Sequence, residues 1–147
     1  MSKEHLDYYE NLRAKINNWL TSPAGKTNAW AKYIRYTPDL FHLLVKLSAD
    51  KQISINSKAK LATAISYFVS PLDLIPEEFW GALGYVDDIA LAALILKDIL
   101  KNDDPQIIQN QWEPEEDLTS LVDEILKVAE SMVGKKWWLK IQELVEK

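Results

Sequence analysis

The chain has 147 residues, a length at which one domain buries about 70% of its unfolded surface and supports its own core without a disulfide or metal staple. It contains no cysteine, which excludes disulfides, thiolate zinc sites and cysteine nucleophiles together and fits a reducing, cytoplasmic setting. A net charge of -5, with no dense basic face in the sequence, excludes nucleic acid as the expected partner.

The opening stretch, MSKEHLDYYENLRAKINNWL, carries charges throughout and lacks the apolar run of a signal peptide, so the mature chain is expected to begin near Met1. Leu6, Tyr9, Leu12, Ile16, Trp19 and Leu20 recur at steps of three and four, which predicts an amphipathic helix over 3–20. TSPAGKT at 21–27 interrupts it, and a short helix is expected over 28–36. Thr37 reads as an N-cap, Pro38 as the first helical position and Asp39 as a first-turn acid, which predicts a helix over 38–49. After a connection at 50–57, residues 58–69 are helical and apolar almost all round, with Thr63 and Ser66 the polar positions after Lys60. A helix over 87–101 contains eight consecutive apolar residues, Ile89 to Leu96. Helices of this kind are covered by protein or by lipid.

Asp104 and Pro105 then read as the cap and first residue of a short segment ending near Trp112. EPEED at 113–117 opens a further helix whose stripe is Leu118, Leu121, Val122, Ile125, Val128, Ala129, Met132 and Val133, and Gly134 suits its closing position. KKWWLKIQELVEK forms the last helix. With no repeat and no strand-like alternation, the expectation is a single compact, soluble, all-α domain over 1–147. Helices 58–69 and 87–101 should form a central antiparallel hairpin, wrapped by the N-terminal helix and by the C-terminal helices of 115–147.

SPLDLIPEEFWGALGYVDD, residues 70–88, holds five carboxylates and no basic residue. Ser70, Pro71 and Asp73 form a capping box, and Pro76 opens a further first turn. Gly81 and Gly84 let the chain bend before Tyr85, and Asp87 and Asp88 then sit in the first turn of the long apolar helix. First-turn carboxylates there stabilise by about 0.3 to 1 kcal/mol each. Lys58, Lys60, Lys97 and Lys101 stand at the opposite ends of the two helices and cannot neutralise these acids. Arg35, or failing that Arg13, is expected to approach Asp73 or Asp87, because a carboxylate against apolar walls needs a partner.

The same stretch, preceded by KAKLATAISYFV and followed by an Ala/Leu-rich helix, resembles the YkvA-like family of unknown function, domain of unknown function 1232. The resemblance is carried by Ser70, Pro71, Asp73, Leu74, Ile75, Pro76, Gly84, Asp87 and Asp88, within a family-like region of about 36–100. It departs at Glu77, where the family more often has Asp, and in EEFWGAL. The resemblance implies a helical hairpin, and membrane association in many relatives, but no reaction.

Two readings of the acids follow. Asp73, Glu77, Asp87 and Asp88 could hold a divalent cation such as Mg²⁺ or Ca²⁺, which favours clustered oxygen ligands, and so serve a metal-dependent phosphohydrolase. Alternatively they are caps plus one ion pair, with no cofactor. His5 and His42 lie in no nucleophile or metal motif. The uninterrupted apolar runs fall short of the roughly 20 residues that a membrane span needs. KKWWLK at 135–140 has the chemistry of an interfacial anchor, or else packs with Trp137, Ile141 and Leu144 toward the core. The expected function is a non-enzymatic binding or scaffold module for a protein partner, cytoplasmic and peripheral to the membrane surface.

Overall fold

Local signals set most of the helix boundaries in the computed structural model, which describes residues 3–69 and 86–146. The elements are α1 (Lys3–Thr21), α2 (Pro23–Thr27), α3 (Ala31–Ile34), α4 (Thr37–Ala49), α5 (Ile55–Val69), α6 (Val86–Asn102), α7 (Pro105–Gln111), α8 (Leu118–Val133) and α9 (Lys135–Glu146). Among the described residues there is no strand. Asp104 accepts from the Gln106 amide at 3.0 Å to start α7. Asp117 accepts from the Ser120 amide at 2.9 Å to start α8. Each cap satisfies a backbone donor that the helix itself leaves open. Gly134, at φ 88°, turns the chain between α8 and α9, a conformation glycine adopts without steric cost.

Several boundaries differ from the sequence expectation. TSPAGKT carries a helical turn of its own, α2, because Ser22 caps it through the Gly25 amide at 3.1 Å and Pro23 is preset for a first turn. Gly25 is required by close approach: a Cβ there would stand 2.0 Å from the Trp19 carbonyl oxygen. Thr37 is not the cap of α4 but its first residue, since its hydroxyl donates to the Ile34 carbonyl at 2.6 Å and ties α4 back onto α3. α5 begins three residues before the expected start, because Ser54 accepts from the Ser57 amide at 3.3 Å and caps the helix at Ile55.

α6 is the centre of the fold. It packs on α3, α4, α5, α7, α8 and α9, most extensively on α8, while α1 lies on α4 and α2. Ile89, Leu91, Ile95, Leu96 and Ile99 are buried around its circumference, with Ala90, Ala92 and Ala93 between them. The small residues let neighbouring helices approach, and each large one contributes about 1.5 to 3 kcal/mol by leaving water. α5 runs antiparallel to α6 at the end where both are described: Lys60 meets Asp98 at 2.6 Å, and Ser57 meets Asp103. The closed, central hairpin of the sequence reading is not established, since the connection at 70–85 lies outside the described residues and α6 alone takes the central position.

α5 is not buried all round either. Leu61, Ala64 and Phe68 face the core, while Ala59, Ala62, Thr63 and Ser66 are exposed and Ile55 keeps 85% of its surface. Alanine counts as apolar in a pattern, yet its exposure costs little, so an Ala-rich helix does not dictate its own burial.

Candidate functional site

The two ends of the α5–α6 pair differ in chemistry. At the acid end, Asp87 and Asp88 lie in the first turn of α6, as the sequence predicts, and Asp88 is buried, with 1% exposure. Ser70, Pro71, Asp73, Pro76, Glu77 and Gly84 fall outside the described residues, as does the side chain of Asp87. Among the described residues no three His, Cys, Asp or Glu side chains gather as a metal site would require. Of the four sequence-predicted ligands, Asp88 is described, while Asp73, Glu77 and the side chain of Asp87 are not.

An aromatic wall stands where α5 ends. Tyr8 donates its hydroxyl to the Phe68 carbonyl, its ring lies 4.7 Å from that of Phe41, and Phe41 lies 5.6 Å from Phe68. α1 thereby closes over the last turn of α5. Arg35 follows α3, exposed, with its guanidinium 5.9 Å from the Tyr36 ring centre. Arg13 pairs with Asp39 at 2.5 Å and donates to the Tyr9 hydroxyl at 2.7 Å. The expected approach of either arginine to Asp73 or Asp87 falls on side chains that are not described.

The lysine end is fully visible. Lys60 pairs with Asp98 at 2.6 Å, and Lys97 reaches across to Asp123 on α8 at 2.7 Å. Asp103 accepts from the Ser54 amide at 2.9 Å and from the Ser57 hydroxyl, closing the start of α5 onto the end of α6. Beside these contacts runs a groove of about 660 Å³, with Asn56, Ala59, Lys60 and Thr63 on the α5 wall, Asp98 and Asn102 from α6, and Val145 from α9. A second hollow of about 200 Å³ shares Asp98 and Val145 and continues past Lys101 and Gln142. The sequence reading placed the lysines at this end but did not find the groove. Its walls come from three helices far apart in the chain, and the separation of charge was the one sequence signal pointing there.

A third polar cluster joins α1, α4 and the α7–α8 connection. The His42 ring stacks on Tyr9 at 4.4 Å, and its Nε2 lies 3.2 Å from Glu113. Lys46, one turn further, pairs with the same carboxylate at 2.8 Å and donates to the Gln111 carbonyl at 2.5 Å. Burial holds His42 below the ordinary imidazole range, helped by the Lys46 charge and opposed by Glu113. The hydrogen bond from Lys46 lowers the Glu113 carboxyl. The Nδ1 of His42 is buried without a hydrogen-bond partner among the described residues, so a second ring proton would have no acceptor there.

The described side chains of α9 divide between core and solvent. Ile141 and Val145 are buried and Trp138 packs half-buried on the core, while Lys135, Lys136, Leu139 and Lys140 are exposed. The side chains of Trp137 and Leu144 are not described. Among the described residues no helix is long and apolar enough to cross a membrane.

Residues 57–94 match the model of a family described as "Protein of unknown function (DUF1232)", consistent with the YkvA-like resemblance and inside the region that carries it. Over 103 residues the chain is 28% identical to "Uncharacterized protein ORF9" of Methanothermobacter thermautotrophicus, a match spanning 70% of each protein. A 36-residue segment is 50% identical to "E3 ubiquitin-protein ligase RNF170" of Xenopus laevis, covering 24% of this chain and 14% of that protein. No solved structure matches the chain.

Proposed function

We propose that this chain is a non-enzymatic helical binding module that seats a segment of a partner protein in the groove between α5 and α9. The observation that supports this reading most is the groove itself, about 660 Å³ in volume, with Asn56, Ala59 and Thr63 along its α5 wall. Hollows of roughly 300 to 1,000 Å³ are the usual size of small-molecule sites, so this one has room for a few side chains of a docked segment. The chemistry of the lining suits docking rather than acid–base work, since its one carboxylate, Asp98, is taken up by Lys60 at 2.6 Å. Next to it the outward face of α5 offers Ala62 and Ser66, over which another backbone can approach closely, and Ile55 as an apolar anchor.

The test is affinity capture from the host with three forms of the chain compared quantitatively: unaltered, Thr63→Arg in the groove, and Glu130→Arg on α8. Both positions are exposed, so each substitution should shift stability by no more than about 0.5 kcal/mol. A partner retained by the unaltered and Glu130→Arg forms and lost from Thr63→Arg supports the reading. Identical recovery by all three refutes it.

A divalent-metal enzyme is the second reading. Its support among the described residues is Asp88, a carboxylate buried in the first turn of α6 beside Asp87. Titration of chelator-treated protein with Mg²⁺, Mn²⁺ and Ca²⁺, followed by thermal unfolding, tests it.

A further inference from the structure

Between residues 11 and 38 the chain has no carboxylate, although five basic side chains fall there. Arg13 is taken up by Asp39 at 2.5 Å, which engages the acid standing one helical turn from Arg35. Lys32 and Arg35, at the end of α3, lie over tyrosine rings instead: the Lys32 Nζ is 5.0 Å from the centre of Tyr33 and the Arg35 guanidinium 5.9 Å from that of Tyr36. Across from them stand Glu116, in the connection before α8, and Glu124 on α8. All four charged side chains are exposed. Among the described residues, none of the four enters an ion pair.

The four line one hollow of about 230 Å³, the bulk of roughly eight waters and so of a molecule the size of a single amino acid. One wall carries the two cations of α3, the other the two carboxylates, and the buried Tyr33 and Leu121 give the hollow an apolar floor. The Tyr36 hydroxyl lies 3.5 Å from Glu116 and orients that carboxylate at the rim. An anion placed here meets two carboxylates, and a cation meets two basic groups, so each is repelled by one wall. A zwitterion satisfies both. Its carboxylate accepts from the Lys32 ammonium and the planar Arg35 fork, and its ammonium donates to the two glutamates.

We infer that this hollow binds a free α-amino acid with an apolar side chain, its carboxylate between Lys32 and Arg35, its ammonium between Glu116 and Glu124, and its side chain against Leu121 and Tyr33. Charge contacts at an exposed rim are individually weak, so binding is loose and selectivity comes from meeting both walls at once. The hollow shares no residue with the groove between α5 and α9, so this inference and the docking of a partner protein stand or fall independently.

The experiment is NMR titration of the isotope-labelled full chain with three probes of one carbon skeleton: L-leucine, L-leucinamide, which lacks the carboxylate, and isocaproate, which lacks the ammonium. Saturable shifts at the amides of Tyr36, Leu121 and Glu124 are expected with leucine, at an affinity roughly fivefold or more above that of either other probe. Lys32→Gln and Arg35→Gln should each weaken leucine by roughly two- to fivefold and leave leucinamide no weaker. Glu124→Gln should weaken leucine to the same degree and leave isocaproate no weaker, a reciprocal pattern that a merely structural role would not produce. Lys127→Gln, exposed on α8 but outside the hollow, should leave leucine binding within about twofold. Thr63→Arg in the groove should leave it unchanged, so loss of partner capture and loss of amino-acid binding are read separately. The inference is overturned by the absence of saturable shifts with leucine, by a singly charged probe that binds as tightly as leucine, or by an equal loss in Lys127→Gln.

Discussion

α5 and α6 are built from similar residues and end in different environments. Both are rich in alanine and large aliphatic side chains, yet α6 is enclosed by six neighbouring helices and α5 leaves one side in solvent. The difference lies in where the large side chains fall. On α6 they occur around the circumference, at Ile89, Leu91, Ile95, Leu96 and Ile99. On α5 the outward positions are Ala59, Ala62, Thr63 and Ser66, so the helix can expose a face at little cost and keep it available to a partner.

Substitution of the two faces should separate them most sharply. Leu96 is fully buried, and Leu96→Ala should cost about 2 to 5 kcal/mol, lowering the melting temperature by roughly 5 to 15 °C for a domain of this size. Ala62→Ser on α5 should change stability by less than about 0.5 kcal/mol. Equal losses at the two positions, measured by denaturant unfolding, would show that α5 is as enclosed as α6.

The two ends of the pair offer the next contrast. If the acids bind a divalent cation, a hundredfold excess over its dissociation constant should add about 2.7 kcal/mol, a shift of roughly 5 to 10 °C, and Asp87→Asn should abolish it. If the acids are caps, no ion moves the transition and Asp87→Asn lowers it. At the other end Asp103→Ala removes the acceptor for the Ser54 amide and the buried Ser57 hydroxyl. Losing partners for these groups should cost roughly 1 to 3 kcal/mol and loosen the start of α5, which amide exchange at Ser57 and Lys58 would register.

The smallest effect concerns pH. Burial lowers the His42 pKa in the folded chain, so as pH falls below about 6.5 the unfolded chain takes up a proton first. Stability contributed by neutral His42 is complete above that pH, declines below it and levels off beneath the folded pKa. In a His5→Gln background, His42→Gln should flatten the stability curve between about pH 7 and 5. The lowered carboxyls of Glu113 and Asp50 lose their contribution at lower pH, as protonation begins near the ordinary carboxyl range.

What the sequence made legible follows the range of each interaction. Asp104 with Pro105 and Gly134 act within one turn, and the helix boundaries they mark are found where the sequence places them, whereas EPEED, read as a first turn, lies before α8, which starts at Leu118 with Asp117 as its cap. The stripe from Leu118 to Val133 likewise identifies the buried side of α8. α2 escapes the sequence reading although its cap, Ser22, and first residue, Pro23, are local signals, because the Pro and Gly of TSPAGKT read as a break; the close packing of Gly25 on the Trp19 carbonyl belongs to the assembled fold. Arg13 with Asp39, 26 positions apart, and Lys46 with Glu113, 67 apart, are products of the assembled fold. The site divides in the same way: the acidic motif announces itself as a continuous string, whereas the groove gathers Thr63, Asp98 and Val145 from three helices. The outward face of α9 was legible in its chemistry, and the structure adds which of its residues face solvent.

The contrast between α5 and α6 can be measured directly, because the chain has no cysteine to interfere with thiol labelling. Ala62→Cys on the outward face of α5 and Ala92→Cys inside α6 should be compared for their rates of modification in the folded protein. An open α5 face predicts that Cys at 62 reacts about as fast as in an unfolded chain, while Cys at 92 waits on unfolding and is slowed by several orders of magnitude. Equal protection at the two positions would mean that the α5 face is covered in the free protein, and would contradict the docking surface at its root.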